Sequence, residues 1–237
     1  LEGEANGTIT DRNQLAFLFR SVKGDQVLGL AAYLEERGVN VFSPRSALFF
    51  EREEVKLMLG AIIFCFRNLF DILQWDPAVN LDIWGYYEHC KKYFADAIRK
   101  DPEGNADLLA YCKAAANRHL SMAENTNYAF SGLLYELLRF DLFRPYLGKD
   151  MGAGPTELRA AYNVGRMSQI LTKFEYLHTI TVFTPKNIEW TLGKFFNTYL
   201  RFLHDGGIGE FEDFDERAPS GCVSFLTIHQ SKGLEYP

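Results

Sequence analysis

The chain has 237 residues, of which 47% are hydrophobic and 15% aromatic, and a formal net charge of -6 at pH 7. This length and composition support a sizeable core in one large or two small domains and exclude a disordered chain. The net negative charge argues against binding polyanions over the whole surface, but it is compatible with a local basic groove.

Cysteine spacing and apolar run length indicate the compartment. No Cys-x-x-Cys pair and no Cys/His cluster at zinc spacing occurs, because the four cysteines lie far apart, at Cys65, Cys90, Cys112 and Cys222. We therefore predict reduced, buried thiols and no metal site. No apolar run approaches the roughly 20 residues that span a bilayer, and no secretory signal is present. These features predict a soluble, cytoplasmic protein without a membrane partner.

The first 60 residues alternate between strand-like and helix-like patterns. The runs at 14–20 ("QLAFLFR") and 39–42 ("VNVF") predict short buried strands. Between them, residues 25–38 have the spacing of an amphipathic helix with Gly38 just beyond its end. From residue 51, apolar side chains recur every three or four positions, which predicts one helix over 51–70. This order is typical of an α/β domain.

Residues 71–204 carry almost no strand signal. Apolar residues recur at helical spacing in five blocks, at roughly 79–99, 105–119, 127–140, 156–178 and 186–203. Such stripes form cores far more often than cofactor sites, so we predict an all-α body.

The composition changes again after residue 204. Residues 205–221 are rich in glycine and acidic residues, which predicts a solvated hinge. The run at 222–228 ("CVSFLTI") predicts another buried strand, and a lone strand needs a sheet to join. Because the first 60 residues supply a sheet, the helical block is predicted to be an insertion. The predicted parts are α/β at 1–70, helical insertion at 71–204, hinge at 205–221 and return to α/β at 222–237.

The last predicted strand runs into "HQSKGLE", which combines polar side chains with a flexible turn. In α/β sheets, ligands bind where strands end. Phosphate oxygens can accept hydrogen bonds from the compact donors Thr227, His229 and Ser231. Lys232 adds a point charge, and Gly233 permits close backbone approach. Glu235 can accept hydrogen bonds from a hydroxyl-bearing ligand such as a ribose.

Two segments resemble the superfamily 1 DNA helicases of the UvrD/Rep/PcrA type. "VSFLTIHQSKGLEYP" (223–237) resembles their motif V, and "FFEREEVK" (49–56) resembles an element near the start of their second motor domain. The intervening helical block is similar in placement to the family's 2B subdomain, which is inserted into subdomain 2A. The resemblance implies an α/β fold that forms part of a RecA-like P-loop NTPase-type domain, with a large all-α inserted subdomain.

The resemblance also implies roles for individual residues. Thr227, His229 and Arg52 would contact DNA, while Glu235 and Gly233 would lie near the nucleotide. Lys232 would form the coupling turn between the two ligands, although a structural ion pair is an open alternative. For Arg52, and also for Arg20 at the end of the first strand, a structural role is the alternative. The implied fragment contains no catalytic residue and no metal ligand of its own.

The implied function is that of an ATP-dependent, 3′-to-5′ DNA helicase or translocase of repair or recombination. ATP and Mg²⁺ would be its cofactors, and its partners would be single-stranded or junction DNA, the 1A and 1B motor domains in cis, and repair or recombination proteins. No GxxxxGK[ST] phosphate loop occurs in the chain. The implied enzyme would therefore be longer than this chain, and we expect the chain alone to be inactive as an ATPase. The alternatives are a regulatory or partner-binding helical module, and the motor part of a RecB/AddA-like helicase–nuclease subunit.

Overall fold

The computed structural model describes residues 9–22, 25–42, 47–75, 81–147, 155–205, 218, 220–229 and 231–232. Over these residues the protein is mixed α/β and mostly helical, with one small parallel sheet. The strands are β1 (Ala16–Phe19), β2 (Asn40–Phe42) and β3 (Cys222–Thr227). The helices are α1 (Asp25–Glu36), α2 (Ala47–Glu51), α3 (Glu53–Phe64), α4 (Leu69–Leu73), α5 (Leu81–Lys100), α6 (Ala106–Leu120), α7 (Phe130–Leu137), α8 (Pro155–His178), α9 (Ile188–Gly193) and α10 (Arg201–His204).

The three strands form a parallel sheet in the order β1-β3-β2. Ala16 of β1 is paired with Ser224 of β3, and Asn40 of β2 is paired with Cys222 at the start of β3. The last strand thus fills the position between two strands from the beginning of the chain. This confirms the prediction that the run at 222–228 joins the sheet of the first 60 residues.

The first strand differs from the sequence prediction of a buried element. The side chains of Phe17 and Leu18 are 38% and 52% exposed, whereas the central strand β3 is buried from Cys222 to Leu226. The difference arises because β1 has a strand on only one side among the described residues, so one edge is open.

The helix predicted over 51–70 is three helices. Arg52 has extended backbone (φ -68°, ψ 141°) and precedes the first turn of α3, so α2 and α3 are separate. A second break follows Phe64, where the N–H of Cys65 closes the end of α3. The sequence prediction failed because the apolar spacing continues through both breaks. Glu53 and Glu54 lie in the first turn of α3, where the helix dipole favours acidic side chains.

The helices share one continuous core that begins at Phe49 and ends at Leu200. This core crosses the predicted boundary at residue 70, because α3 packs with the helical body. Phe130 lies at its centre, with ring centroids 4.4–6.2 Å from five other phenylalanines, namely Phe66, Phe174, Phe183, Phe195 and Phe196. The sheet has a smaller core of its own around Val41, Val223 and Phe225. All four cysteines are buried and unpaired, as predicted.

The last helical block departs from regular geometry in its middle. Residues Lys194–Leu200 form a π-helix between α9 and α10, where the sequence predicts a plain helix over 186–203. The Tyr87 hydroxyl donates to the carbonyl of Phe196 at 2.6 Å, and Asn197 donates to the carbonyl of Leu73 at 3.0 Å. These buried contacts hold the irregular turn against α4 and α5.

Two helices end with the same backbone motif but with different residues. After α1, the N–H of Gly38 donates to Glu35 and that of Val39 to Leu34. After α8, Thr179 and Ile180 repeat this pattern. The residue beyond each helix has positive φ, +74° for Gly38 and +54° for Thr179. Glycine adopts this conformation without strain, whereas a β-branched residue does not.

Replacing Thr179 with glycine should raise the free energy of unfolding by about 1 kcal/mol, because it removes a left-handed β-branched residue. The matched change is Gly38→Ala, expected to lower it by about 1 kcal/mol. A Cβ at Gly38 would meet no atom within 4 Å, so only the backbone conformation is changed. Urea denaturation followed by circular dichroism measures both. Changes of the same sign in the two variants would contradict this explanation.

Among the described residues, no helix is both long and apolar enough to cross a membrane.

Candidate functional site

The carboxyl end of the sheet gathers the polar residues that follow β1 and β3. Phe19 and Thr227 are paired at the last position of the two strands, and the N–H of Ile228 donates to the carbonyl of Phe19 at 3.0 Å. Because the strands are parallel, Arg20 and His229 leave the sheet at the same edge. Thr227 itself is half-buried. The parallel pairing therefore brings together two segments that are far apart in sequence.

Beyond β3 the chain makes a turn that exposes its charged side chains. The N–H of Ser231 donates to the carbonyl of Thr227 at 3.1 Å, and the Ser231 hydroxyl donates to the carbonyl of Ile228 at 3.0 Å. His229 and Lys232 are exposed. Within the part of the chain that the structure describes, neither has a hydrogen-bonding or charged side-chain partner. Over those residues Lys232 therefore forms no ion pair, which was one of its two predicted roles.

Arg20 completes this edge. Its side chain is exposed and has no ion-pair partner among the described residues. The structural capping role favoured from the sequence is therefore not observed. Arg20, His229 and Lys232 together form what we call the sheet-edge site. All three are hydrogen-bond donors, and two are permanently charged, so the sheet-edge site can bind an anion such as a phosphate group.

A carboxylate fixes the start of β3. Asp11 accepts hydrogen bonds from the N–H groups of Asn13 at 3.0 Å and Gly221 at 2.8 Å, and from the hydroxyl of Ser220. Burial by itself raises the pKa of Asp11, but these three donors stabilise the carboxylate and lower its pKa below the ordinary value. This contact joins the N-terminal turn to the residues that lead into the central strand. It also places the end of the predicted hinge, at Ser220 and Gly221, against the sheet.

Arg52 lies away from the sheet-edge site and has an intramolecular role. Its Nη1 lies 2.7 Å from a carboxylate oxygen of Glu35, and its Nη2 donates to the carbonyl of Val41 at 2.9 Å. The N–H of Val41 donates to Glu35 at 3.3 Å. Glu35 and Arg52 therefore occupy both backbone groups of Val41 on β2. With its side chain only 13% exposed, Arg52 fits the structural alternative better than the DNA contact that the resemblance implied.

The remaining predicted positions differ in what the structure shows. Gly233 and Glu235, the implied nucleotide-side residues, lie outside the described residues, as does most of the acidic hinge. No cluster of three or more His, Cys, Asp or Glu side chains able to hold a metal ion occurs among the described residues. The sheet-edge site therefore consists of donors to an anion and includes no recognisable metal ligand set in the described part.

No known protein family, curated protein or solved structure matches this chain.

Proposed function

We propose that this chain is the second motor subdomain, with its helical insertion, of an ATP-dependent DNA helicase or translocase of the UvrD-like type. The observation that carries the proposal is the placement of the Thr-x-His-x-x-Lys segment. It follows the central strand of a parallel sheet whose two other strands precede a long helical insertion. This order of elements fits the architecture implied by the two sequence motifs.

The chemistry of the sheet-edge site supports a role in holding the DNA backbone. Lys232 and Arg20 offer charge to phosphates, and His229 offers a ring N–H. Two apolar side chains beside this edge are exposed as well, Leu18 at 52% and Ile228 at 54%. Exposed apolar groups next to polar donors are typical of a surface that another domain or ligand covers. In the proposed motor, that cover is the first motor domain together with the bound strand.

The proposed nucleotide contact belongs to Gly233 and Glu235, which follow the sheet-edge site in the sequence. ATP and Mg²⁺ are the proposed cofactors, and the residues that hold the Mg²⁺ and the phosphates belong to the first motor domain. Closure of the two domains around ATP would shift the Thr227–Lys232 turn and so couple hydrolysis to movement along DNA. The proposed partners are single-stranded or junction DNA and repair or recombination proteins.

We expect the double variant His229→Ala/Lys232→Ala to bind a fluorescent single-stranded oligonucleotide about tenfold more weakly than the unchanged chain. The reason is the loss of one charge-assisted and one neutral hydrogen bond. Lys232→Ala alone should also make the slope of log K against log salt shallower by about 0.7, which corresponds to one phosphate contact. Fluorescence anisotropy at salt concentrations of roughly 25 to 200 mM measures both quantities, over the range where phosphate contacts dominate.

The chain provides a matched control for this measurement. His89 and Lys92 on α5 have the same three-residue spacing and are also exposed. The variant His89→Ala/Lys92→Ala removes the same groups from the helical body and should leave affinity and salt slope unchanged. Equal effects of the two double variants would refute a specific role for the sheet-edge site, as would tight binding that ignores both.

A further inference from the structure

A second cluster of positive charge lies in the helical body, where the sequence analysis identified no site. Three elements surround a cavity of about 360 Å³. The turn after α3 contributes Arg67, α5 contributes Lys91, and α6 contributes Lys113. The remaining described lining residues are Phe64, Ala116 and Asn117. We call this space the basic cavity.

The charges of the basic cavity are not balanced by acidic side chains. No carboxylate is among its described lining residues. Within the described part of the chain, neither Arg67 nor Lys113 has an ion pair or a side-chain hydrogen bond. Lys91 contacts a ring, with its ammonium nitrogen 5.5 Å from the centroid of Phe70. Three cations therefore converge on one space that has no counter-ion among the described residues.

This arrangement stands out against the rest of the protein. The chain has 31 acidic and 25 basic residues, so carboxylates are in excess. Other cations of the described structure do use them. Ion pairs join Arg52 to Glu35, Lys56 to Glu51, Arg99 to Asp96, Arg139 to Glu136 and Arg144 to Asp141. Like charges that face one space repel each other unless an anion lies between them.

The cavity also has the size and mixed walls of a ligand site. Its volume lies within the range of small-molecule pockets. Phe64 forms an apolar wall and is itself fixed by Phe94, with ring centroids 5.7 Å apart. Asn117 lies one helical turn after Lys113 on α6 and offers an amide N–H₂ group beside the two lysines. A guanidinium, two ammonium groups and an amide are the donors that phosphate oxygens accept.

We propose that the basic cavity binds a phosphate-bearing anion through Arg67, Lys91 and Lys113. The phosphate comes either from a nucleic-acid backbone or from a free polyphosphate such as pyrophosphate. This site lies in the helical body and does not depend on the motor role proposed for the sheet-edge site. It gives the helical insertion a ligand of its own.

The test is calorimetric titration of the 237-residue chain with pyrophosphate, and separately with a short single-stranded oligonucleotide and a duplex. Arg67→Glu and Lys113→Glu should each weaken binding of pyrophosphate about tenfold or more, because each loses a charge-assisted contact and adds repulsion. The matched control is Lys92→Glu, which makes the same charge change on α5 at an exposed residue outside the lining. It should alter the affinity less than about twofold.

The ligands distinguish the two sources of phosphate. Tighter binding of an oligonucleotide than of pyrophosphate, lost in the Arg67 and Lys113 variants, identifies a nucleic-acid backbone. Tighter binding of pyrophosphate identifies a free polyphosphate. The proposal is overturned if no ligand binds, or if Lys92→Glu weakens binding as much as the cavity variants do. Milder changes, Arg67→Gln and Lys113→Gln, show whether any loss survives without charge reversal, and circular dichroism confirms folding of each variant.

Lys232→Ala serves as an additional arm that keeps the two proposals apart. Its effect is confined to the sheet-edge site, so pyrophosphate binding in the basic cavity should not change. A loss of oligonucleotide binding in Lys232→Ala, with pyrophosphate binding intact, supports the sheet-edge site and leaves the basic cavity standing. Loss of pyrophosphate binding in Lys232→Ala would place the anion at the sheet edge and overturn the cavity proposal.

Discussion

Replacing Phe130 with alanine should lower the free energy of unfolding by about 3–5 kcal/mol, the largest effect that we expect of any single change. Phe130 is fully buried and contacts five phenylalanines contributed by the turn after α3, by α8, by the π-helix and by the loop before α9. Removing the ring leaves a cavity that rigid neighbouring rings cannot fill. The loss therefore includes the cavity as well as the transfer of the ring to water.

Denaturant unfolding, followed by helical circular dichroism, measures this effect. Phe202→Ala is the control, since Phe202 is 49% exposed and its truncation should change stability by no more than about 0.5 kcal/mol. A loss below about 1 kcal/mol in Phe130→Ala would show that the aromatic cluster does not form as described. A similar loss in both variants would show that aromatic content, and not burial, decides the result.

Replacing His119 with phenylalanine should lower the free energy of unfolding by about 1–3 kcal/mol at neutral pH. His119 is 4% exposed and stacks on Phe66, with ring centroids 4.5 Å apart. Its Nδ1 lies 2.7 Å from the carbonyl of Cys65, and its Nε2 lies 3.1 Å from the Tyr128 hydroxyl. Because a carbonyl only accepts, Nδ1 carries the proton and Nε2 accepts from Tyr128. Phenylalanine keeps the stacking but leaves both polar partners without the histidine.

The same residue gives the protein a pH dependence. Burial lowers the pKa of His119 in the folded state. The unfolded chain then binds the proton more readily, so stability is full above the ordinary pKa of about 6.5 and falls as the pH drops toward the folded-state pKa. In His119→Phe this part of the decline should be absent.

His178 provides the comparison for the pH experiment. Its pKa is also lowered by burial, but the side chain is exposed, so its share of the decline should be smaller. Denaturant titrations at several pH values between about 5 and 7.5 compare His119→Phe with His178→Gln, a window that covers the titration of histidine. An unchanged pH slope in His119→Phe would contradict the assignment of a neutral, buried ring.

The strand at 222–227 shows how far sequence reasoning reaches. A buried apolar run has unpaired backbone groups that only a sheet can satisfy, so its need for β1 and β2 follows from the sequence alone. Its central position, between the two earlier strands, does not follow, because either edge of the sheet would satisfy the same need. The exposure of Phe17 and Leu18 was likewise hidden, since an apolar run does not reveal whether a strand lies at an edge.

The break at Arg52 could not be predicted for a different reason. The apolar spacing is unchanged there, and the interruption depends on the tertiary contacts of Arg52 with Glu35 and Val41. The sequence left open whether Arg52 meets DNA or stabilises the fold, and its burial favours the second. The π-helix at Lys194–Leu200 was missed because its apolar pattern resembles that of an ordinary helix.

The two candidate sites differ in how visible they are in the sequence. His229 and Lys232 lie in one short segment, so the pattern of donors can be recognised from neighbouring letters alone. Arg67, Lys91 and Lys113 are separated by long helical stretches and converge only through the packing of α3, α5 and α6. A single sequence contains no signal that such residues meet.

The position of β3 between β1 and β2 has a consequence for the order of folding. During synthesis β1 and β2 emerge early, but the strand that separates them in the sheet arrives only after the helical body is complete. Until then both strands lack their partner and keep unpaired edges, which are prone to associate with other chains. The helical body has its own core and can form first, holding the ends of the chain until β3 arrives. The sheet is thus the last part to assemble, and its carboxyl edge cannot bind a ligand before the whole described fold is in place.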